Sequence, residues 1–369
     1  MKIIPPSNIN RFMIPAVILL LLFPFITHAQ DSLTLDFCYR QAERTYPLRQ
    51  QLDMLGSSSD LKVKNLNKSY LPQVNINGGV SLQSDVTKFS IDLPAGMPGI
   101  NMPALSKDSY KLTLDVNQVI YDGHVTHYQK QVEEFNLKTG QKGIEIEMYK
   151  LKDRINQVFF GIILLQQNEE LLMSNKERII VKLGEVQSAI RNGASLEMNG
   201  SLLEAEIVRI DQQLTEIRMD RSAYYQMLSE LMSTPVPENT RLVIPQVALS
   251  GTAFENKRLE NELFGLERSQ VSLMQNMVTT KWNPKIFAYG QAGYGRPGLN
   301  MLENSFSPWW MIGAKVTWNP WNWNHNKNEK KVLVIQNDIL KNQQETFDKN
   351  LKISSQKDLS EVLKLTELI

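Results

Sequence analysis

The chain is poor in the residues that do chemistry. Among its 369 residues there is one cysteine, Cys38, and there are four histidines, His28, His124, His127 and His325. One cysteine excludes an internal disulfide even in an oxidising compartment, and its place after Leu35-Asp36-Phe37 is unlike a lipoprotein cleavage box, so a small apolar contact on a first helix is expected of it. His124 and His127 have helical i, i+3 spacing, yet no acidic or cysteine ligand nearby completes a zinc-type set. Gly78-Gly79 and the run Gly293 to Gly298 introduce no helix with the lysine of a phosphate loop, and no nucleophile triad is visible. No catalysis, cofactor or metal is expected. Charge of one sign is also missing: 40 Lys and Arg stand against 39 Asp and Glu, a net of +1, which leaves no nucleic-acid footprint. Outside the N-terminus there is no run of some eighteen apolar residues, which excludes a helical integral membrane protein. A porin-like wall escapes that test, because alternation hides its hydrophobicity.

What is present begins with a leader. Lys2 and Arg11 precede an apolar stretch from Met13 to Ile26, and Thr27-His28-Ala29 precedes Gln30, the pattern of a secretory signal cleaved after Ala29. Removing its two cations leaves 38 basic residues against 39 acidic, a net of −1.

Two alternating segments, each opened by an aromatic residue and a proline, lie about two hundred residues apart. The first is Tyr70-Leu71-Pro72 followed by Gln73 to Val80; the second is Trp282-Asn283-Pro284 followed by Lys285 to Tyr294. Side chains alternate faces along a strand, so Val74, Ile76 and Val80 share one side while Gln73, Asn75 and Asn77 share the other. Each copy has a partner. Leu112, Leu114, Val116 and Ile120 alternate with Lys111, Thr113, Asp115 and Asn117; Trp310, Ile312, Ala314, Val316 and Trp318 alternate with Met311, Gly313, Lys315 and Thr317. Strands of roughly ten residues with one apolar and one polar face have the pattern of an outer-membrane barrel, and Asp115 and Lys315 favour a water-filled lumen over a packed sandwich. The expected lumen set is Gln73, Asn75, Asn77, Lys111, Thr113, Asp115, Asn117, Lys315 and Thr317. Aromatic residues cluster near the segment ends; Tyr70, Tyr121, Trp282, Trp310, Trp318, Trp321 and Trp323 form the expected girdle at the headgroup level, with Trp309 beside them.

Between the strand pairs, His124 to Met232 contains no proline. Leu151, Ile155, Val158, Ile162, Leu165, Leu172, Ile179, Leu183, Val186 and Ile190 repeat in steps of three and four, a heptad seam interrupted by Glu169 and Lys176. Those two charges are expected to pair with each other or with a neighbouring helix. After Arg191-Asn192-Gly193-Ala194-Ser195 the seam resumes from Leu196 through Gly200, Leu203, Ile207, Ile210, Leu214, Ile217, Arg221, Tyr224 and Leu228 to Leu231, which predicts an antiparallel hairpin with Asn192-Gly193 ending one helix and Ser195 capping the next. The first arm, from His124 to Ile190, predicts a rod of roughly 100 Å. Helices are also expected from about Ser32 to Lys68, from about Ala253 to Thr280 and from about Asn324. Ser84 to Asp108 and Arg296 to Pro308 read as extracellular loops, and Ser233 to Gly251, with Pro235, Pro237 and Pro245, as an irregular collar.

These features together resemble the TolC-type outer-membrane efflux and secretion ducts. The matching residues are Leu33-Thr34-Leu35-Asp36-Phe37-Cys38, Tyr46-Pro47 where the family commonly has Asn-Pro, the two strand starts, the strand exits Val119-Ile120-Tyr121-Asp122-Gly123 and Asn319-Pro320-Trp321-Asn322-Trp323-Asn324, and the tip Asn192-Gly193-Ala194-Ser195 with Leu202, Glu204, Ala205 and Glu206. Gly290 to Gly298 looks like a version common in Bacteroidetes-like members. The resemblance implies an α+β membrane protein: long antiparallel coiled-coil helices forming an α-barrel, and four β-strands per chain contributed to a trimeric twelve-stranded β-barrel. It also implies a homotrimer in outer-membrane lipid, extending into the periplasm. The partners implied are a periplasmic adaptor and an inner-membrane pump, ABC-type or proton-driven, of a tripartite efflux or type I secretion system. The adaptor-docking tip is expected at Arg191, Asn192, Gly193, Ala194, Ser195 and Glu197. The domain organisation expected is a signal peptide at 1–29, a first structural repeat at 30–240 and a second at 241–369. The second repeat lacks the tip and returning helix of its hairpin, so a C-terminally truncated product is expected, with the seam of Val332, Ile335 and Ile339 unpartnered. The competing readings are a periplasmic adaptor of the membrane-fusion type and a soluble periplasmic coiled-coil scaffold.

Overall fold

The computed structural model describes residues 32–86, 106–246, 256–300 and 303–368. The expected leader, most of the loop between Ser84 and Asp108, and the end of the collar lie outside these residues. The chain divides into two compact units, one drawn from residues 1–46 and 150–251 and the other from 47–149 and 252–369.

The first unit is the helical hairpin with its collar. Strand β1 (Leu33–Thr34) leads into helix α1 (Leu35–Thr45), where the Thr34 hydroxyl accepts from the Phe37 amide at 3.3 Å and caps the helix. Helix α1 ends because Tyr46 precedes Pro47 and must leave the helical region; it adopts ψ 130°. The continuous helix expected from Ser32 to Lys68 is therefore broken here. Cys38 and Ala42, one turn apart, are fully buried as α1 packs against a later helix, α4 (Glu197–Met232). Burial pushes the Cys38 thiol up to about 12, so it stays a protonated, inert apolar contact.

Helix α3 (Val125–Arg191) is a single helix of 67 residues whose second part, from Lys150, belongs to this unit. It pairs antiparallel with α4: Lys176 meets Asp211 at 2.5 Å, Glu169 meets Arg218 at 2.8 Å and also Arg221, and Gln166 donates to the Tyr225 hydroxyl at 3.0 Å. The two charges that interrupt the seam thus pair across the hairpin. The nearly buried Glu169 carboxylate takes two guanidinium groups, which offsets the desolvation that one partner would leave uncompensated. Leu151, Ile155, Val158, Ile162, Ile210, Leu214 and Leu228 are buried as the heptads require. Tyr224 of the expected seam lays its ring over Gly161 of the facing arm, where an added Cβ would come within 2.3 Å of it, and the neighbouring Tyr225, not expected there, is fully buried and donates to Thr240 O at 2.7 Å. The collar is not wholly irregular, because β4 (Leu242–Val243) pairs in parallel with β1. Two-residue strands carry no periodicity, so alternation could not disclose them.

The second unit holds α2 (Gln50–Lys68), the first part of α3, α5 (Leu259–Thr279), α6 (His325–Leu368) and four strands: β2 (Gln73–Leu82), β3 (Asp108–Tyr121), β5 (Lys285–Arg296) and β6 (Ser307–Thr317). Each strand pair follows a helix, with short 3-10 turns at Pro47–Arg49 and Thr280–Trp282. The helices are laced by polar contacts: Lys62 to Glu133 at 3.0 Å, Lys142 to Glu262 at 2.7 Å, Gln270 to Asn136 at 2.6 Å and Asn256 to Asp348 at 2.7 Å. Leu55 packs onto Gly140, and Phe264 meets Phe347 with ring centres 6.0 Å apart. Val332, Ile335 and Ile339 of α6 remain exposed.

The hairpin tip ends α3 by backbone geometry. Gly193 sits at φ 72°, its amide bonds to Ile190 O at 2.9 Å, and the Ala194 amide bonds to Ala189 O at 2.8 Å, which is the Schellman pattern. The end of α4 repeats it with a serine: Ser233 has φ 47°, with amide bonds from Ser233 to Glu230 O and from Thr234 to Ser229 O, both 3.1 Å. Ser195 does not cap α4; the N-cap residue is Leu196, which makes no side-chain cap bond, and the Ser195 hydroxyl accepts instead from Asn199 at 3.1 Å. Left-handed backbone costs a residue with a Cβ about 1 kcal/mol or more. Gly193→Ala should therefore loosen the end of α3 by about 1 kcal/mol, and Ser233→Gly should tighten the end of α4 by up to about 1 kcal/mol. Native-state hydrogen exchange at the two ends measures both, and effects of equal sign would contradict this account.

Candidate functional site

The four strands form one antiparallel sheet in the order β2-β3-β5-β6. Directly opposed residues share a face, so the register assigns every side chain. Asp115 stands opposite Asn75 on one side and Gln291 on the other, Thr113 opposite Asn77 and Gly293, and Asn117 opposite Gln73 and Tyr289. Lys315 and Thr317 fall on this same face, opposite Phe287 and Lys285. All nine residues expected to line a lumen thus lie together on one face, though they come from distant parts of the chain. The centre of that face is a hydrogen-bonded cluster in which the Asp115 carboxylate accepts from Asn77 at 2.6 Å, from Thr113 at 3.0 Å and from Gln291.

The reverse face is apolar and open. Val74, Ile76, Val80, Leu82, Leu112, Leu114, Trp310, Ile312 and Val316 are all exposed on it, with Ile76 at 74% and Trp310 at 72%. A soluble protein rarely leaves so continuous an apolar surface in water. Both β2 and β6 keep one edge unpaired among the described residues. The pattern slips at the helix-side end of β3: Gln118 falls on the apolar face opposite Ala288, and a bulge between Val119 and Tyr121 then puts Ile120 out of register.

The aromatic residues separate into two ends. Tyr70, Tyr121, Trp282, Trp318, Trp321 and Trp323 stand at the helix-side end, whereas Trp310 lies near the loop-side start of β6. Tyr121 binds His124 Nδ1 at 3.0 Å, Trp318 donates to Trp282 O at 3.0 Å, and Trp321 meets Trp323 edge to face at 5.8 Å. Tyr70 is half-buried, with its hydroxyl on Asp122. At the loop-side end there is a cluster that alternation alone did not single out: Tyr294 stacks on Phe306 at 5.7 Å, and Arg296 pairs with Asp108 while lying 5.3 Å from the Tyr110 ring. Trp309 is not with Trp310. Consecutive strand residues point to opposite faces, and Trp309 lies on the polar one, opposite Gly293.

Both strand pairs hand over to a helix through the same turn. In the first, Gly123 and His124 take φ 75° and 73°; in the second, Trp323 and Asn324 take φ 51° and 63°. An added Cβ at Gly123 would approach Asn283 Cβ to 2.9 Å, and Asn283 in turn donates to Gly123 O at 2.9 Å, which makes glycine necessary there. Asp122 organises the turn by accepting from the His124 amide at 2.9 Å and the Thr126 amide at 2.6 Å. At the second turn the matching positions are amides, and Asn322 Oδ1 and Asn326 Nδ2 are buried without a partner among the described residues. Trp323 sits in a backbone region costly for a bulky residue and is 84% exposed. At the hairpin tip, Arg191 donates to Ser188 at 3.0 Å, and Arg191 and Glu197 both point into solvent. His127 lies 3.3 Å from Gln131, and among the described residues no cluster of three metal-ligating side chains occurs, nor is any helix long and apolar enough to cross a membrane.

A helical hairpin joined in one chain to a two-faced, four-stranded antiparallel sheet defines the architecture: the chain has a TolC-type fold. It is similar to the CmeC outer membrane channel of Campylobacter jejuni, with a TM-score of 0.60 at 16% identity over 85% of this chain and 67% of that one. It is similar also to the outer membrane protein VceC of Vibrio cholerae (0.57, 12%, 84% and 74%) and to the open state of the Neisseria gonorrhoeae MtrE outer membrane channel (0.53, 15%, 83% and 68%). No protein-family model and no curated protein matches the sequence. At these identities the likeness is one of fold.

Asp122 provides a test of the turn. Burial opposes its ionisation, but hydrogen bonds from Thr126, Tyr70 and the His124 amide outweigh it and hold the carboxyl below the usual range. A depressed folded pKa adds stability that is present above the unfolded value of about 3.9 and is lost as pH falls through the folded value. Asp122→Ala should cost roughly 1–2 kcal/mol at pH 7, and its deficit against wild type should shrink below about pH 4. Denaturation in detergent across pH measures this, and a deficit independent of pH would rule out the carboxylate as its source.

Proposed function

We propose that the chain is a subunit of an outer-membrane exit duct. The observation that carries this reading is the sheet: a continuous exposed apolar face backs a hydrogen-bonded polar face, and both outer edges are unpaired among the described residues. In lipid an open edge is untenable, because its amides and carbonyls find no water. Three copies, each joining β6 to the next copy's β2, close a twelve-stranded barrel with the nine lumen residues inside and the apolar face toward acyl chains. Trp310 then belongs to the outer headgroup level with Tyr110, Tyr294 and Phe306, and the girdle residues Tyr70, Tyr121, Trp282, Trp318, Trp321 and Trp323 to the periplasmic level.

The long helices form a hollow column into the periplasm, built from a first repeat over 30–240 and a second over 241–369. The tip around Arg191 to Glu197 docks a periplasmic adaptor, and an inner-membrane pump, ABC-type or proton-driven, supplies the energy for efflux or type I secretion. The duct is a passive conduit and has no catalytic step of its own. The solved channels of the same fold support this reading by analogy.

The protein should sediment with outer membranes, resist alkaline extraction and migrate as a trimer in unheated detergent gels. A soluble periplasmic pool would refute the proposal. Charge reversal at the tip, Arg191→Glu with Glu197→Lys, should abolish crosslinking to the adaptor while leaving trimers intact; unchanged crosslinking would remove the tip from the docking surface.

A further inference from the structure

The polar face of the sheet is not uniform. On β2 and β3 it presents amides, hydroxyls and Asp115, but on β5 and β6 it carries aromatic rings set on glycines. Trp309 stands opposite Gly293, and a Cβ added there would meet its indole at 2.4 Å; Tyr289 stands opposite Gly313, where a Cβ would meet its phenol ring at 2.6 Å. Each ring therefore occupies the space that a side chain at the opposed glycine would fill, as cross-strand aromatic and glycine pairs allow. Both rings are only half-buried, and the row between them holds Gln291 and Met311.

The charges on this face are also biased. Lys111, Lys285 and Lys315 share it, and the only carboxylate on the same face of the described strands, Asp115, already accepts three hydrogen bonds. Lys315 is diagonal to Tyr289 across the β5 and β6 ladder. The face thus combines open aromatic surface with net positive charge.

We infer that the β5–β6 half of the bore is a contact lane for planar aromatic anions, with Trp309 and Tyr289 as stacking platforms and the lysines as counter-charges. This deepens the duct reading and rests on it. Because a lane must release what it holds, stacking on single rings suits passage: each aromatic contact contributes about 0.5–1.5 kcal/mol, a weak and readily reversed attraction.

Single-channel current in planar bilayers tests this with the full chain. Hydroxypyrene trisulfonate, a planar aromatic anion, should interrupt the current of wild-type trimers; citrate, a non-aromatic anion of similar charge, should not. Trp309→Ala with Tyr289→Ala should weaken the block roughly ten-fold, while Trp309→Phe with Tyr289→Phe should keep most of it. Equal block by citrate, stronger block by the aromatic cation ethidium, or a block that survives loss of both rings would overturn the lane and leave the channel standing. Wild-type protein that inserts but carries no current would overturn the duct and the lane together.

Discussion

Side chains of a β-strand must alternate between faces, and nearly everything distinctive about this chain depends on that constraint. In an ordinary sheet one face packs on a core and the other meets water. Here the apolar face of β2, β3, β5 and β6 stays open while the polar face is the one organised by hydrogen bonds around Asp115. Such an inverted sheet suits a setting with hydrocarbon against one face and water against the other. The open edges at β2 and β6 follow the same logic, because a sheet of four strands cannot close alone.

The helical hairpin obeys a different rule. Its seam is held by heptad packing, and polar residues enter that seam only with partners across it: Glu169 between Arg218 and Arg221, and Lys176 on Asp211. Pairs of this kind fix register more than they add stability, since a shift by one turn would strand a charge in an apolar seam. The Tyr224 ring over Gly161 adds a steric check on the same register.

Where the chain changes from strand to helix it uses one device twice, with different chemistry. Asp122-Gly123 supplies a carboxylate and a residue free to adopt positive φ; Asn322-Trp323 supplies an amide and a bulky ring held at positive φ. The second turn accepts backbone strain and presents an indole to solvent next to Trp321. At the edge of a bilayer an exposed indole is an asset, because its ring prefers the interface.

Much of this was legible in the sequence because it is local. Alternation assigned Asn77, Thr113 and Asp115 to one face and Ile76 and Leu114 to the other, and three-four spacing placed Ile155, Ile162 and Ile210 in the hairpin seam. Glycine at 193 marked the end of a helix through its own backbone freedom, whereas the expectation of one helix running to Lys68 passed over the break before proline at 47. What the sequence could not decide is which strands lie side by side and in what register. Only the tertiary fold brings β3 against β5, so that Gln291 reaches Asp115 from 176 residues away, and sets Trp309 opposite Gly293. The physical reason is that alternation and heptad spacing follow from bond geometry between near neighbours, whereas register is settled by the packing of surfaces whose residues are remote in the chain.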